Sequence, residues 1–88
     1  MRHRFNVATS SREVLVDITR QVSEAVDRSG HRHGLVNVYV QGATAAVMIQ
    51  ENWDDSVQRD VVNLLRQLIP EGVWLHDAQD GNGDAHLK

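Results

Sequence analysis

The longest apolar stretch of the chain lies between residues 35 and 50. Leu35-Val36-Asn37-Val38-Tyr39-Val40 is rich in β-branched residues and predicts a strand over 35–40. Gln41-Gly42-Ala43-Thr44 breaks it. Residues 45–50 predict a second strand, with Ala46, Met48 and Gln50 on one face and Ala45, Val47 and Ile49 on the other. Both strands are expected to be largely buried. Nearer the start, Phe5, Val7 and Thr9 alternate with polar or small neighbours and predict an edge strand over 4–9.

Residues 11–30 fit two patterns. Ser10 with Glu13 resembles a capping box, and Leu15, Ile18, Val22 and Ala25 have helical spacing. Val14, Val16 and Ile18 instead share one face of a strand. The preferred reading is a strand over 12–16 and then a helix from about 18 to 28. Asp17 would accept amide hydrogen bonds at its start, and Gly30 would take the positive φ of a helix stop. Further on, Val57, Val61, Leu64, Leu65 and Leu68 form a stripe with 3.6-residue period. Asp54 or Asp55 caps this second helix and Pro70 ends it. From Glu71 onward no periodicity is visible, and Gly81-Asn82-Gly83-Asp84 reads as a loop.

The predicted order is β-β-α-β-β-α. The expected class is α+β, a small antiparallel or mixed sheet with two helices packed on it. One domain is expected over residues 1–88. Its last sheet edge is bare, so a neighbouring copy or further chain should cover it.

Composition narrows the function. The chain has no cysteine, so neither disulfides nor thiolate metal sites can staple so short a domain. Self-association is the expected substitute. The net charge of −3 and the scattered arginines give no basic face, so a nucleic-acid partner is not expected. No apolar run approaches the ~20 residues of a membrane span. The N-terminal MRHRFNVATS lacks an apolar signal core, so a cytoplasmic location is expected.

The strongest chemical candidate is His76 and His86 with Asp77, Asp80, Asn82 and Asp84. Imidazole and carboxylate bind zinc or manganese where thiols are lacking, and they also shuttle protons. Spacing alone does not separate this group from a solvated acidic loop. Glu51 sits where a strand meets a helix start and has no capping role, unlike Asp54 and Asp55. The amides of Gly81-Asn82-Gly83-Asp84 could cradle a phosphate, although the stretch lacks the lysine and following helix of a P-loop. His31 and His33 fit an exposed turn as well as a chelate.

Several stretches together carry a resemblance. They are Asp17-Ile18-Thr19, Ser29-Gly30, GLVNVYV at 34–40 and ATAAVMIQEN at 43–52, the last close to a TTAAVTINEN stretch. Asp54, Val57, Arg59 and Asp60 fit a DPxVxxD helix start. Pro70 and then WLHDAQDGNGDAHLK at 74–88 resemble a Y/WxHxxGNxxAHxK signature. On these residues the chain resembles the YjbQ-like family, small proteins also described as secondary thiamine-phosphate synthases.

The resemblance implies an α+β fold that assembles as a homotrimer. It also implies a histidine-containing pocket for a divalent metal (zinc or magnesium) or a phosphate-bearing small molecule. Glu51, His76 and His86 would be its catalytic residues, with His76 and His86 also as metal ligands. Asn82, Gly81 and Gly83 would contact the bound group, and Asp60 would assist. The implied reaction joins a pyrimidine pyrophosphate to a thiazole phosphate. Three departures bear on it. Gly42 and Ala43 stand where the family has His-Thr, and Asp55 replaces a proline. Relatives also continue past the position of Lys88 through further strands and an LGTWQ motif, so the domain is expected to be incomplete at its C-terminus. Two functions stay open: a thiamine-phosphate synthase-like transferase, and a non-catalytic oligomeric relative that binds a ligand or is structural.

Overall fold

The two long helices begin in the same way. The first, α1, spans Thr19–Ser29. Two residues before it, Asp17 Oδ1 accepts the Thr19 N–H at 2.9 Å. The second, α2, spans Ser56–Leu68. Two residues before it, Asp54 Oδ1 accepts the Ser56 N–H at 2.9 Å and the Ser56 hydroxyl as well. Each aspartate satisfies an amide that the first turn leaves without an intrahelical partner. The C-terminal ends differ. α1 stops at Gly30, whose φ of 72° turns the chain out of the helix while its N–H donates to the Asp27 carbonyl at 3.2 Å. α2 closes with the Ile69 N–H on the Leu65 carbonyl at 2.8 Å, just before Pro70.

The Ser56 hydroxyl, and then its amide, hold the Asp54 carboxyl below the usual aspartate range. Because the folded form has the lower value, this contribution to α2 is complete above the ordinary aspartate range. It is lost as pH falls through the depressed value. The amide signal of Ser56 should therefore shift in acid as the first turn of α2 loosens. In Asp54→Asn, whose side-chain oxygen accepts without titrating, that acid step should vanish. NMR of Ser56 against pH checks this, and an unchanged step in the variant refutes it.

The computed structural model describes residues 1–88. It resolves into two units, Met1–Tyr39 and Val40–Lys88. The first holds α1, whose half-buried apolar residues are Val22, Ala25 and Val26. Phe5, Leu15 and Ile18 are half-buried ahead of it. The second holds α2 and two short helices, α3 (Asp77–Asp80) and α4 (Gly83–Leu87). The sheltered face of α2 carries Val57, Val61, Val62 and Leu65. Leu64 and Leu68, expected on that face, are exposed, and Val62 takes a place in it.

The α+β expectation is overturned. All regular structure is helical, and none of the segments 4–9, 12–16, 35–40 and 45–50 is a strand. Residues 31–50 are exposed throughout, so the two apolar runs are not the buried strands they were expected to be. The only backbone hydrogen bond there closes a turn, from the Ala45 N–H to the Gly42 carbonyl. Alternation marks which side chains suit a covered face, but a strand exists only with a partner in register. The C-terminal loop reading is also corrected, because α3 and α4 occupy much of it. No helix is long and apolar enough to cross a membrane.

Candidate functional site

The C-terminal stretch is built from turns rather than from an apolar stripe. Pro70 accepts the Trp74 indole N–H on its carbonyl at 2.6 Å, which ties the indole back to the end of α2. The Trp74 carbonyl then accepts the Asp77 N–H at 3.0 Å, and the His76 carbonyl accepts the Gln79 N–H at 2.9 Å. His76 thus occupies the cap position of α3. Gly81 ends α3 with φ of 68°, and Asn82 leads into α4, whose last turn carries His86. The reversal brings the two histidines together. Their ring centroids lie 4.7 Å apart with an interplanar angle of 87°, an edge-to-face contact. Both residues are exposed.

Beneath the rings the aspartates are engaged within the chain. The Asp77 carboxylate bridges two stretches of backbone: Oδ2 accepts the Trp74 N–H at 3.1 Å and Oδ1 the Gly83 N–H at 2.8 Å. Asp84 is fully buried, and its Oδ2 pairs with Lys88 Nζ at 2.9 Å. Gly83 is also buried, packed so closely that an added Cβ would lie 2.7 Å from Trp74 Cβ and 2.9 Å from Asp77 Oδ1. One polar atom stands apart. Asn82 Oδ1 is buried and accepts no hydrogen bond. Such orphans are uncommon in folded proteins, and each calls for a donor.

The sequence candidates therefore separate. His76 caps the start of α3, His86 lies in the last turn of α4, and Asn82 lies between the two helices. The amides of Gly81 and Gly83, expected to face a phosphate, already have acceptors in the Asp77 carbonyl and carboxylate. Glu51 lies on an exposed segment, and its carboxylate accepts the Trp53 N–H two residues on. Asp60 is an exposed residue of α2. Asp77 and Asp84, considered as metal-ligand types, act instead as acceptors for the backbone and for a lysine. No group of three or more histidine and acidic side chains converges to hold a metal. A catalytic zinc takes three protein ligands, and magnesium prefers oxygen to imidazole. The histidine pair alone does not complete either set, and it supports no step through a metal. Trp74 and Lys88, the two ends of the 74–88 signature, also belong to this reversal, although sequence reasoning assigns neither a role in holding it. Their signal is the i, i+4 spacing of Asp84 and Lys88 and the glycine between Asn82 and Asp84.

The sequence matches the family described as UPF0047 protein YjbQ-like over residues 3–88. The chain belongs to that family. Among UPF0047 relatives, the protein MJ1081 of Methanocaldococcus jannaschii is 40% identical over 88 residues, which are all of this chain and 63% of the relative. A UPF0047 protein of Methanothermobacter thermautotrophicus is 37% identical over 91% of this chain and 56% of its own length. YugU of Bacillus subtilis is 30% identical over 96% and 64%. This UPF0047 chain thus spans about three-fifths of the length of the relatives it matches. No solved structure matches it.

Proposed function

We propose that the chain binds a small phosphate-bearing molecule where the reversal from α3 to α4 brings His76 and His86 together, with these two histidines as the groups that grip it. The observation that carries this reading is the 4.7 Å contact of the two exposed rings. Every imidazole carries at least one N–H donor, and phosphate oxygens accept strongly from such donors. The nearby acids oppose an anion less than their number suggests. Asp77 is engaged by two amides and Asp84 by Lys88, which leaves Asp80 as the exposed acid of the stretch. Asn82 Oδ1 lacks a donor, so a ligand with a hydroxyl or amino group beside its phosphate fits better than bare phosphate. Self-association into a trimer belongs to the same proposal. It would cover side chains as open as Leu35, Ile49 and Leu75.

Two forms of this function diverge once the ligand is bound. In the transferase form, the thiazole nitrogen displaces pyrophosphate from the pyrimidine's side-chain carbon, the C–N bond forming as the C–O bond breaks, and the histidines stabilise charge on the departing pyrophosphate. In the non-catalytic form, the chain only holds its ligand. Gly42, standing where the family has histidine, favours the second form.

Calorimetry with inorganic phosphate tests the shared claim. A hydrogen bond to a charged group contributes about 1.5–3 kcal/mol, so His76→Ala should weaken binding roughly 10–100-fold. Equal affinity in the two proteins refutes the site. Product formed from the two phosphate substrates above the His76→Ala background selects the transferase form, and binding without product selects the other.

A further inference from the structure

We infer that Asp77 is the positioning residue of the histidine pair. Its carboxylate accepts the amides of Trp74 and Gly83, one on each side of the reversal. His76 lies two residues after Trp74, and His86 three after Gly83, about one turn along α4. The same carboxylate therefore ties together the two backbone stretches that carry the rings. Elsewhere in the stretch the Trp74 indole reaches back to Pro70, and Asp84 pairs with Lys88 just past α4. Asp77 is an orienting group and not a contact of the ligand, because both of its oxygens already serve the backbone.

The close packing of Gly83 strengthens the assignment. With Trp74 Cβ only 2.7 Å and Asp77 Oδ1 only 2.9 Å from where a Cβ would sit, the three residues form one tight joint. A group held within such a joint keeps its geometry without help from the ligand, which is what a preformed binding site needs. The assignment rests on the phosphate reading only for what the pair is positioned to do.

The test uses the whole chain and three readouts. The first is the nuclear Overhauser contact between the His76 and His86 rings, which reports their approach directly. Asp77→Asn keeps one acceptor and should weaken this contact. Asp77→Ala should abolish it, while the amide signals of α1 and α2 stay in place. The second readout is affinity for inorganic phosphate, expected to fall about tenfold in Asp77→Ala, the low end for removing a supporting partner behind a ligand site. The third needs no variant. In the native chain the Trp74 and Gly83 amides should exchange with solvent more slowly than that of Leu75.

A ring contact that survives in both variants overturns the assignment. If the variants lose α1 and α2 as well, the exchange measurement decides: unprotected Trp74 and Gly83 amides overturn the assignment and protected ones support it. If inorganic phosphate binds neither protein, the phosphate reading fails while the ring contact still decides the role of Asp77.

Discussion

Replacing Asp84 by alanine is expected to destabilise the unit Val40–Lys88 by about 3–5 kcal/mol. The side chain of Asp84 is fully buried and that of Lys88 is 11% exposed, at an N–O distance of 2.9 Å. Taking one partner from such a pair removes the close counter-charge that offsets the desolvation of the other. The exposed pairs Arg20–Glu24 and Arg59–Asp55 have the same i, i+4 spacing, yet they stand in solvent. Their loss should cost at most about 0.5 kcal/mol. The buried pair also need not surpass an apolar one. The double variant Asp84→Leu with Lys88→Met should recover most of the loss, since well-packed apolar replacements of buried pairs are often neutral. Urea unfolding monitored through the amide signals of α4 measures both. A loss under about 1 kcal/mol in Asp84→Ala would place the pair among surface pairs and contradict the burial argument.

The ends of the two long helices were legible because the residues responsible act locally. Asp17 and Asp54 each reach an amide two positions away, and Gly30 supplies its own positive φ. Such effects depend on a few neighbouring residues, so a linear sequence carries them nearly complete. The sheet was not legible in this way. Leu35–Val40 and Ala45–Gln50 have the composition of covered strands, yet no ladder forms and every residue of both is exposed. Strand propensity records how side chains fit a packed, pleated surface, and it is silent on whether that surface exists.

The candidate site failed to show in the pattern for a different reason. The residues buried in α4 are Gly83 and Asp84, one without a side chain and the other charged. A search for apolar periodicity passes over both. α3 and α4 are held by backbone turns, by a bridging carboxylate and by an ion pair, none of which keeps a 3.6-residue hydrophobic rhythm. Two of the residues that the sequence singles out nonetheless lie together. His76 and His86 do meet, whereas their acidic companions Asp77 and Asp84 are engaged by backbone amides and a lysine.

The second large effect is expected at Gly83. A methyl group there meets Trp74 Cβ at 2.7 Å, Asp77 Oδ1 at 2.9 Å and Trp74 Cγ at 3.3 Å, closer than Cβ atoms normally approach anything. Trp74 cannot swing aside cheaply, because the atom in the way is its Cβ and its indole is fixed to Pro70. Asp77 cannot retreat without lengthening its bonds to two amides. Gly83→Ala should therefore cost about 1–3 kcal/mol, the range for forcing extra volume into a packed joint. It should also separate the histidine rings. Gly81 makes the contrast. Its φ is +68°, yet nothing lies within 4 Å of an added Cβ, and asparagine tolerates that backbone region. Gly81→Asn should therefore change stability little and leave the ring contact in place. Urea midpoints with the ring-to-ring Overhauser signal distinguish the two positions. If Gly83→Ala matches the native chain in both readouts, the joint beneath the histidines is loose, and the pair is held by something other than the Trp74, Asp77 and Gly83 contacts.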